Sequence, residues 1–192
     1  MKLAATTPPA DATTPPANAT GARARPSRLR PERPWQEHAI LYRDLFADPP
    51  VAEALWPRAP SGPGTRRQSL ELLAGDITHW AERSYGPWVF FETDTGMFVG
   101  RGGLRAASVA GEECVEVLYA VRSDAWGRGY ATEMATLAVA YARRLQLAEV
   151  VGFTAVSNRA SRHVLEKVGM RIESTFERAG VDHWLGRLRP IV

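Results

Sequence analysis

Two glycines set between a strand-like run and a helix-like run dominate this sequence. The segment is Val121-Arg122-Ser123-Asp124-Ala125-Trp126-Gly127-Arg128-Gly129-Tyr130-Ala131-Thr132-Glu133. Residues without bulky side chains let a backbone approach a ligand closely. The free N–H groups of a helix N-terminus point outward, and the helix dipole favours negative charge there. The expected guest is a phosphate or pyrophosphate, with Arg128 adding positive charge nearby. A dinucleotide fingerprint would want Gly in place of Thr132 and an acid at the end of the next strand, whereas Glu149 stands at that strand's start. A P-loop would want Gly-Lys-Ser/Thr, which is absent. The competing reading is a tight turn that only packs a helix on a sheet.

A second strand-to-helix passage follows in Thr154-Ala155-Val156-Ser157-Asn158-Arg159-Ala160-Ser161. Asn158 suits an N-cap, worth about 1 kcal/mol. Ser161 falls in the first turn. Both are candidates to hydrogen-bond an extended ligand lying between the two helices.

Around these passages the periodicity predicts helices over 36–47, 68–83, 131–145 and 160–167. It predicts strands over 88–92, 96–104, 113–121, 149–156, 171–176 and 183–188. Asp48-Pro49-Pro50 stops the first helix, and residues 57–65 read as a loop. On the third strand Val115, Val117, Tyr119 and Val121 share one face, with Glu116 on the other.

Residues 1–26 are rich in Ala, Thr and Pro and carry no aromatic residue, so they read as a disordered tail in front of a single domain over 27–192. Residues 1–34 hold six basic and two acidic residues, and the remaining 158 hold 18 basic and 19 acidic. The positive charge therefore belongs to the tail. A nucleic-acid-binding domain carries its excess on the folded body, so that class of partner is disfavoured. No apolar run approaches the roughly 20 residues of a membrane helix, and no secretory h-region is present. One cysteine, Cys114, excludes an intramolecular disulfide. His38, His79 and His163 show no metal-ligand spacing, so no metal is expected. The expected compartment is the cytoplasm, and the expected state a monomer or homodimer.

Together the two passages resemble the GNAT family of acetyl-CoA-dependent N-acetyltransferases, in particular the branch containing the ribosomal-protein N-terminal acetyltransferases. Ser27-Arg28-Leu29-Arg30 resembles the family's opening strand, and Asp48-Pro49-Pro50-Val51 the segment after its first helix. Phe98-Val99-Gly100-Arg101-Gly102-Gly103-Leu104 resembles its third strand. Trp126 to Glu133 matches its pyrophosphate loop, and Asn158-Arg159-Ala160-Ser161 through Glu166-Lys167-Val168-Gly169-Met170 its later motif.

The resemblance implies an α/β fold, a mixed and mostly antiparallel central sheet flanked by helices. It implies direct transfer of an acetyl group from acetyl-CoA to an amine, without an acyl-enzyme. It places the cosubstrate on Tyr119, Ala120, Val121, Arg122, Trp126, Gly127, Arg128, Gly129, Tyr130, Ala131, Thr132, Asn158 and Ser161. Val121 N–H is then the candidate oxyanion donor and Glu116 the candidate base. Many members place a Tyr acid seven residues after the equivalent of Asn158. This chain has Leu165 there, which leaves Ser161 as the substitute to consider. The acceptor pocket is expected between the loop joining the first two helices and the last hairpin, with Trp56, Trp80, Trp88, His183 and Trp184 as candidates. His183 stands beside Asp182 and is a candidate to assist proton removal. The first expectation for the acceptor is a protein N-terminal amine, and the second a small-molecule amine. A non-catalytic CoA-binding regulator is the rival, suggested by the missing Tyr.

Overall fold

The computed structural model describes residues 27–57 and 66–189. The expected tail over 1–26 and most of the expected loop over 57–65 lie outside the described residues.

Seven strands form one mixed sheet in the order β1-β2-β3-β4-β5-β7-β6. They are β1 (Leu29–Glu32), β2 (Pro87–Glu92), β3 (Phe98–Val109), β4 (Glu112–Val121), β5 (Val150–Ala155), β6 (Arg171–Arg178) and β7 (Val181–Leu188). Every neighbouring pair is antiparallel except β4 and β5. The helices are α1 (Ala39–Ala47), α2 (Pro49–Leu55), α3 (Arg66–Arg83), α4 (Tyr130–Arg144) and α5 (Arg159–Lys167), with a short 3-10 turn at Gln36–His38 leading into α1. This is the mixed, mostly antiparallel α/β architecture expected.

The differences from the predicted elements have local causes. Asp48-Pro49-Pro50 does end the first helix, yet Pro49 also occupies the first turn of α2, where its missing N–H costs nothing. A helix break thus serves as a helix start. β3 runs five residues past its expected end because Arg105 to Val109 pair with Glu112 to Glu116 of β4 across a turn at Ala110-Gly111.

The sheet separates two apolar layers. Val117 and Val121 of β4 pack against α4 through Met134, Leu137, Ala138 and Tyr141. On the other face Val89, Phe98 and Ala120 meet Tyr42, Leu45 and Phe46 of α1 and Leu73 of α3. Both layers need β3 and β4 close together. A Cβ at Gly100 would sit 2.1 Å from the Ala120 carbonyl oxygen, so only glycine fits there.

Trp80 and Trp88 belong to this core, not to a pocket. They are 5% and 1% exposed, with ring centroids 5.7 Å apart, and Trp88 lies 5.1 Å from the Tyr141 ring. Their assignment to the acceptor pocket is corrected accordingly: large apolar area drew them inward.

A buried polar cluster ties α1, α3 and the sheet. Arg101 of β3 donates to both carboxylate oxygens of Asp76 at 2.5 and 2.6 Å, and the Tyr42 hydroxyl donates to Asp76 Oδ2 at 2.6 Å. No helix among the described residues is long and apolar enough to cross a membrane.

Candidate active site

β4 and β5 are adjacent and parallel but pair at a single register position, Glu116 opposite Val151. Beyond Glu116 the strands part. Arg122 N–H donates to Val99 O of β3 at 3.0 Å. Backbone polar groups alternate sides along a strand, so the N–H groups of Tyr119 and Val121 point away from β3 into the opening. The Val121 carbonyl on that side accepts the Trp126 indole N–H at 2.7 Å. This contact holds the following turn against the strand end.

The turn delivers the chain into α4 through glycines with φ of 75° at Gly127 and 84° at Gly129. Both lie in the left-handed region that other residues adopt at a cost. Gly129 is the N-cap and no side chain caps the helix, so the first-turn N–H groups stay directed outward. A Cβ at Gly127 would meet nothing within 4 Å, and one at Gly129 only the Arg28 Nη2 at 3.6 Å. The glycines therefore border open space.

That space is a cavity of about 450 Å³ bounded by Val121, Trp126, Gly127, Gly129, Tyr130, Ala131 and Thr132, and across the opening by Asn158 and Ser161. Sequence reasoning missed its other wall, Val51, Ala54 and Leu55, because α2 was not foreseen. It also missed Lys167 in the last turn of α5, which lines the same cavity. Asn158 caps α5 by accepting Ser161 N–H at 3.0 Å, and its amide donates to Ala54 O at 3.3 Å, joining the two helices.

Arg122 and Arg128 do not line this cavity. Arg122 is drawn to Asp124, at 2.6 Å, beside the strand end. Arg128 is exposed on the outer side of the turn, where its carbonyl accepts from Arg28 at 3.1 Å. Tyr130 contributes a wall, but its hydroxyl donates to Glu92 and its ring lies under the Arg28 guanidinium. Glu133 takes the Arg28 backbone N–H at 2.7 Å and so clamps the chain ahead of β1 onto α4.

A second cavity, of about 500 Å³, opens on the far side of the same gap. Leu55, Tyr119, Ala120, Ser161 and His183 line both, so the two spaces meet at Tyr119 and Ser161. The Tyr119 hydroxyl lies 2.9 Å from both the Ser161 carbonyl and the Ser161 hydroxyl. Burial pushes the Tyr119 phenol well above its ordinary value, a shift its contact with Ser161 only partly offsets. Tyr119 was expected only as one of the cosubstrate-binding residues. The hydroxyl escaped notice because its partner lies 42 positions away.

Glu116 lines this second cavity and is 5% exposed, so it is not a solvent-facing strand residue. Its Oε2 accepts from Arg105 at 2.9 Å. Leu165, standing where the Tyr acid was absent, is 1% exposed and helps to line the cavity. Trp56 and His183 line it as expected. His183 does not engage Asp182: its Nδ1 lies 2.8 Å from Val181 O, and its ring sits 5.7 Å from that of Phe176. Trp184 does not line the cavity. Alternation along β7 turns it to the opposite face, where Arg162 of α5 stacks 4.7 Å above it. Cys114 stands apart, its Sγ 3.5 Å from Ala107 O and its thiol pushed up by burial.

Comparison with known proteins agrees with this fold. The family model described as "Acetyltransferase (GNAT) domain" matches residues 28–171. An uncharacterized protein of Bacillus subtilis (strain 168), YkkB, is 28% identical over 146 residues, covering 74% of this chain and 81% of its own. Among solved structures, an acetyltransferase from Agrobacterium tumefaciens str. C58 superposes with a TM-score of 0.70 at 22% identity, covering 87% of this chain and 94% of its own. A ribosomal-protein-S5-alanine acetyltransferase from Vibrio fischeri gives 0.68 at 15%, covering 84% and 93%. RimL, a ribosomal L7/L12 alpha-N-protein acetyltransferase solved in complex with coenzyme A, gives 0.68 at 18%, covering 92% and 98%. The structural likenesses show the fold, the family model covers most of the chain, and the protein belongs to the GNAT acetyltransferase family, an acyltransferase family that uses acetyl-CoA.

Proposed function

We propose that this protein is an N-acetyltransferase that moves an acetyl group from acetyl-CoA directly to a primary amine. The observation that carries this reading is the meeting of two cavities at the gap between β4 and β5, one bordered by the glycine turn and the other by Glu116.

The residues present fit acetyl-CoA, which when bound supplies the acetyl group as an activated thioester. The left-handed glycines and the uncapped N-terminus of α4 offer backbone donors to a pyrophosphate. Lys167 adds a cation on the same cavity. The N–H groups of Tyr119 and Val121 take the extended arm, Val121 N–H serving the acyl oxygen as negative charge grows there. Glu116 accepts the proton that the amine loses, directly or through water, on the oxygen that Arg105 leaves open. The Tyr119 phenol, kept protonated by burial, and the Ser161 hydroxyl supply a proton or hydrogen bond to the departing thiolate. This pair takes the place of the Tyr absent at Leu165.

A protein N-terminal amine and a small-molecule amine both remain chemically suited acceptors. Likeness to ribosomal-protein acetyltransferases supports the first only through the fold. CoA-thiol release in the presence of amines tests the reading. Glu116→Gln is expected to lower kcat/KM about 100-fold at unchanged acetyl-CoA affinity. Acetyl-CoA binding with only slow hydrolysis for every amine would favour the non-catalytic regulator.

A further inference from the structure

The charges around the second cavity narrow the acceptor. Among the described residues three arginines line it, Arg101, Arg105 and Arg178, against one carboxylate, Glu116. Arg101 is balanced from behind by Asp76, and Arg105 by Glu116. Among the described residues Arg178 has no carboxylate partner, and its guanidinium carbon lies over the face of Phe153, 4.9 Å from the ring centroid. It is exposed at the end of β6, opposite Val181. The two-residue turn beyond it, Ala179-Gly180, has φ of 51° and 73°, the left-handed pair of a tight hairpin. That turn fixes Arg178 and Val181 side by side at the cavity wall.

Acidic residues that would welcome a basic peptide lie elsewhere. Glu112 and Glu113 sit at the start of β4 beside a separate hollow near Arg187. Glu177 pairs in register with Asp182 and does not line the cavity. Among the described residues the residual charge on this cavity is thus one guanidinium, stacked on an aromatic ring that pre-orients it.

We propose that the acceptor is a small amine that also carries an anionic group, a carboxylate or a phosphate, which Arg178 holds while the amine reaches toward Glu116 and the Tyr119–Ser161 junction. This rests on the N-acetyltransferase reading above. A guanidinium pairs with either anion through two parallel N–H donors, so the geometry names the shared chemistry.

The test is CoA release from the full chain with matched pairs of amines. One arm compares amino acids with their carboxamides. The other compares O-phosphoethanolamine with ethanolamine. A basic peptide with a free N-terminus completes the panel. The anionic member of at least one pair is expected to show a KM about tenfold or more below its neutral partner. In Arg178→Gln this ratio is expected to fall within about twofold of unity, in Arg178→Lys to recover in part, and in Arg67→Gln to stay as in the wild type. The arm that responds identifies carboxylate or phosphate. Equal use of neutral amines, a preference for the basic peptide, or an anion preference untouched in Arg178→Gln would overturn the proposal. So would acetyl-CoA binding with no turnover of any anionic amine in the panel. Failure to bind acetyl-CoA at all would instead count against the acetyltransferase reading.

Discussion

The hydroxyl of Tyr119 on β4 lies 2.9 Å from the hydroxyl of Ser161 on α5, at the point where the two cavities join. A strand and a helix far apart in sequence thereby present one hydrogen-bonded pair to the junction of the two cavities. In the proposed mechanism this pair stands in for the Tyr absent at Leu165.

Tyr119→Phe removes the phenol and leaves the ring packed. It is expected to lower kcat about 10- to 100-fold, within the range ascribed to positioned proton donors, with acetyl-CoA affinity changed less than about threefold. Ser161→Ala is expected to lower kcat as well. The double variant should fall no further than the worse single one, because the two act as a unit. Steady-state kinetics with separate calorimetric Kd values checks this. Additive losses would separate the two hydroxyls.

The buried pair of Asp76 and Arg101 joins α3 to the sheet, with Arg101 at the wall of the second cavity. Asp76→Asn leaves a buried guanidinium without its counter-charge and is expected to cost about 3 kcal/mol of stability. Tyr42→Phe removes one hydrogen bond to Asp76 and is expected to cost about 1 kcal/mol. Urea denaturation checks both. A loss under about 1 kcal/mol in Asp76→Asn would show that the pair contributes little to the fold.

His38 carries a pH dependence of stability. Burial lowers its value from 6.5 to about 4, and its Nε2 accepts the Trp35 indole N–H at 3.1 Å. The unfolded chain therefore binds more protons than the folded one between these values. Its contribution is fully present above pH 6.5 and is lost as pH falls toward about 4. Thermal melting across this window should show Tm falling on acidification. His38→Gln should flatten that slope.

Much of the lining of the cavity proposed for the cosubstrate was legible in the sequence, because its parts are local. Gly127, Gly129 and the start of α4 are neighbours along the chain, and Asn158 caps the helix it begins. The lining of the cavity proposed for the acceptor was less so, because its parts are assembled by the sheet. Arg178 reaches the cavity only through the β6–β7 hairpin, and Arg105 only through its register opposite Glu116. Trp80, Trp88 and Trp184 were misplaced for a related reason: an aromatic side chain gives no sign in sequence of which face it takes. Arg122 and Arg128 lie in the glycine turn but do not line its cavity: one side chain is held by Asp124, and the other is directed to Tyr130 and Glu92. The α2 wall was hidden by prolines that read equally as an ending and a beginning.

Calorimetric titration of acetyl-CoA into the wild type, Gly129→Ala and Gly129→Glu tests the glycine-turn site most directly. Both variants force a side chain onto a backbone with φ of 84°, and only glutamate adds negative charge where the pyrophosphate is expected. With all three proteins shown to be folded by circular dichroism, the wild type should bind, Gly129→Ala should bind more weakly, and Gly129→Glu should lose binding by about 100-fold or more. Equal binding by Gly129→Glu, or no binding by the folded wild type, would contradict the assignment of this turn to acetyl-CoA.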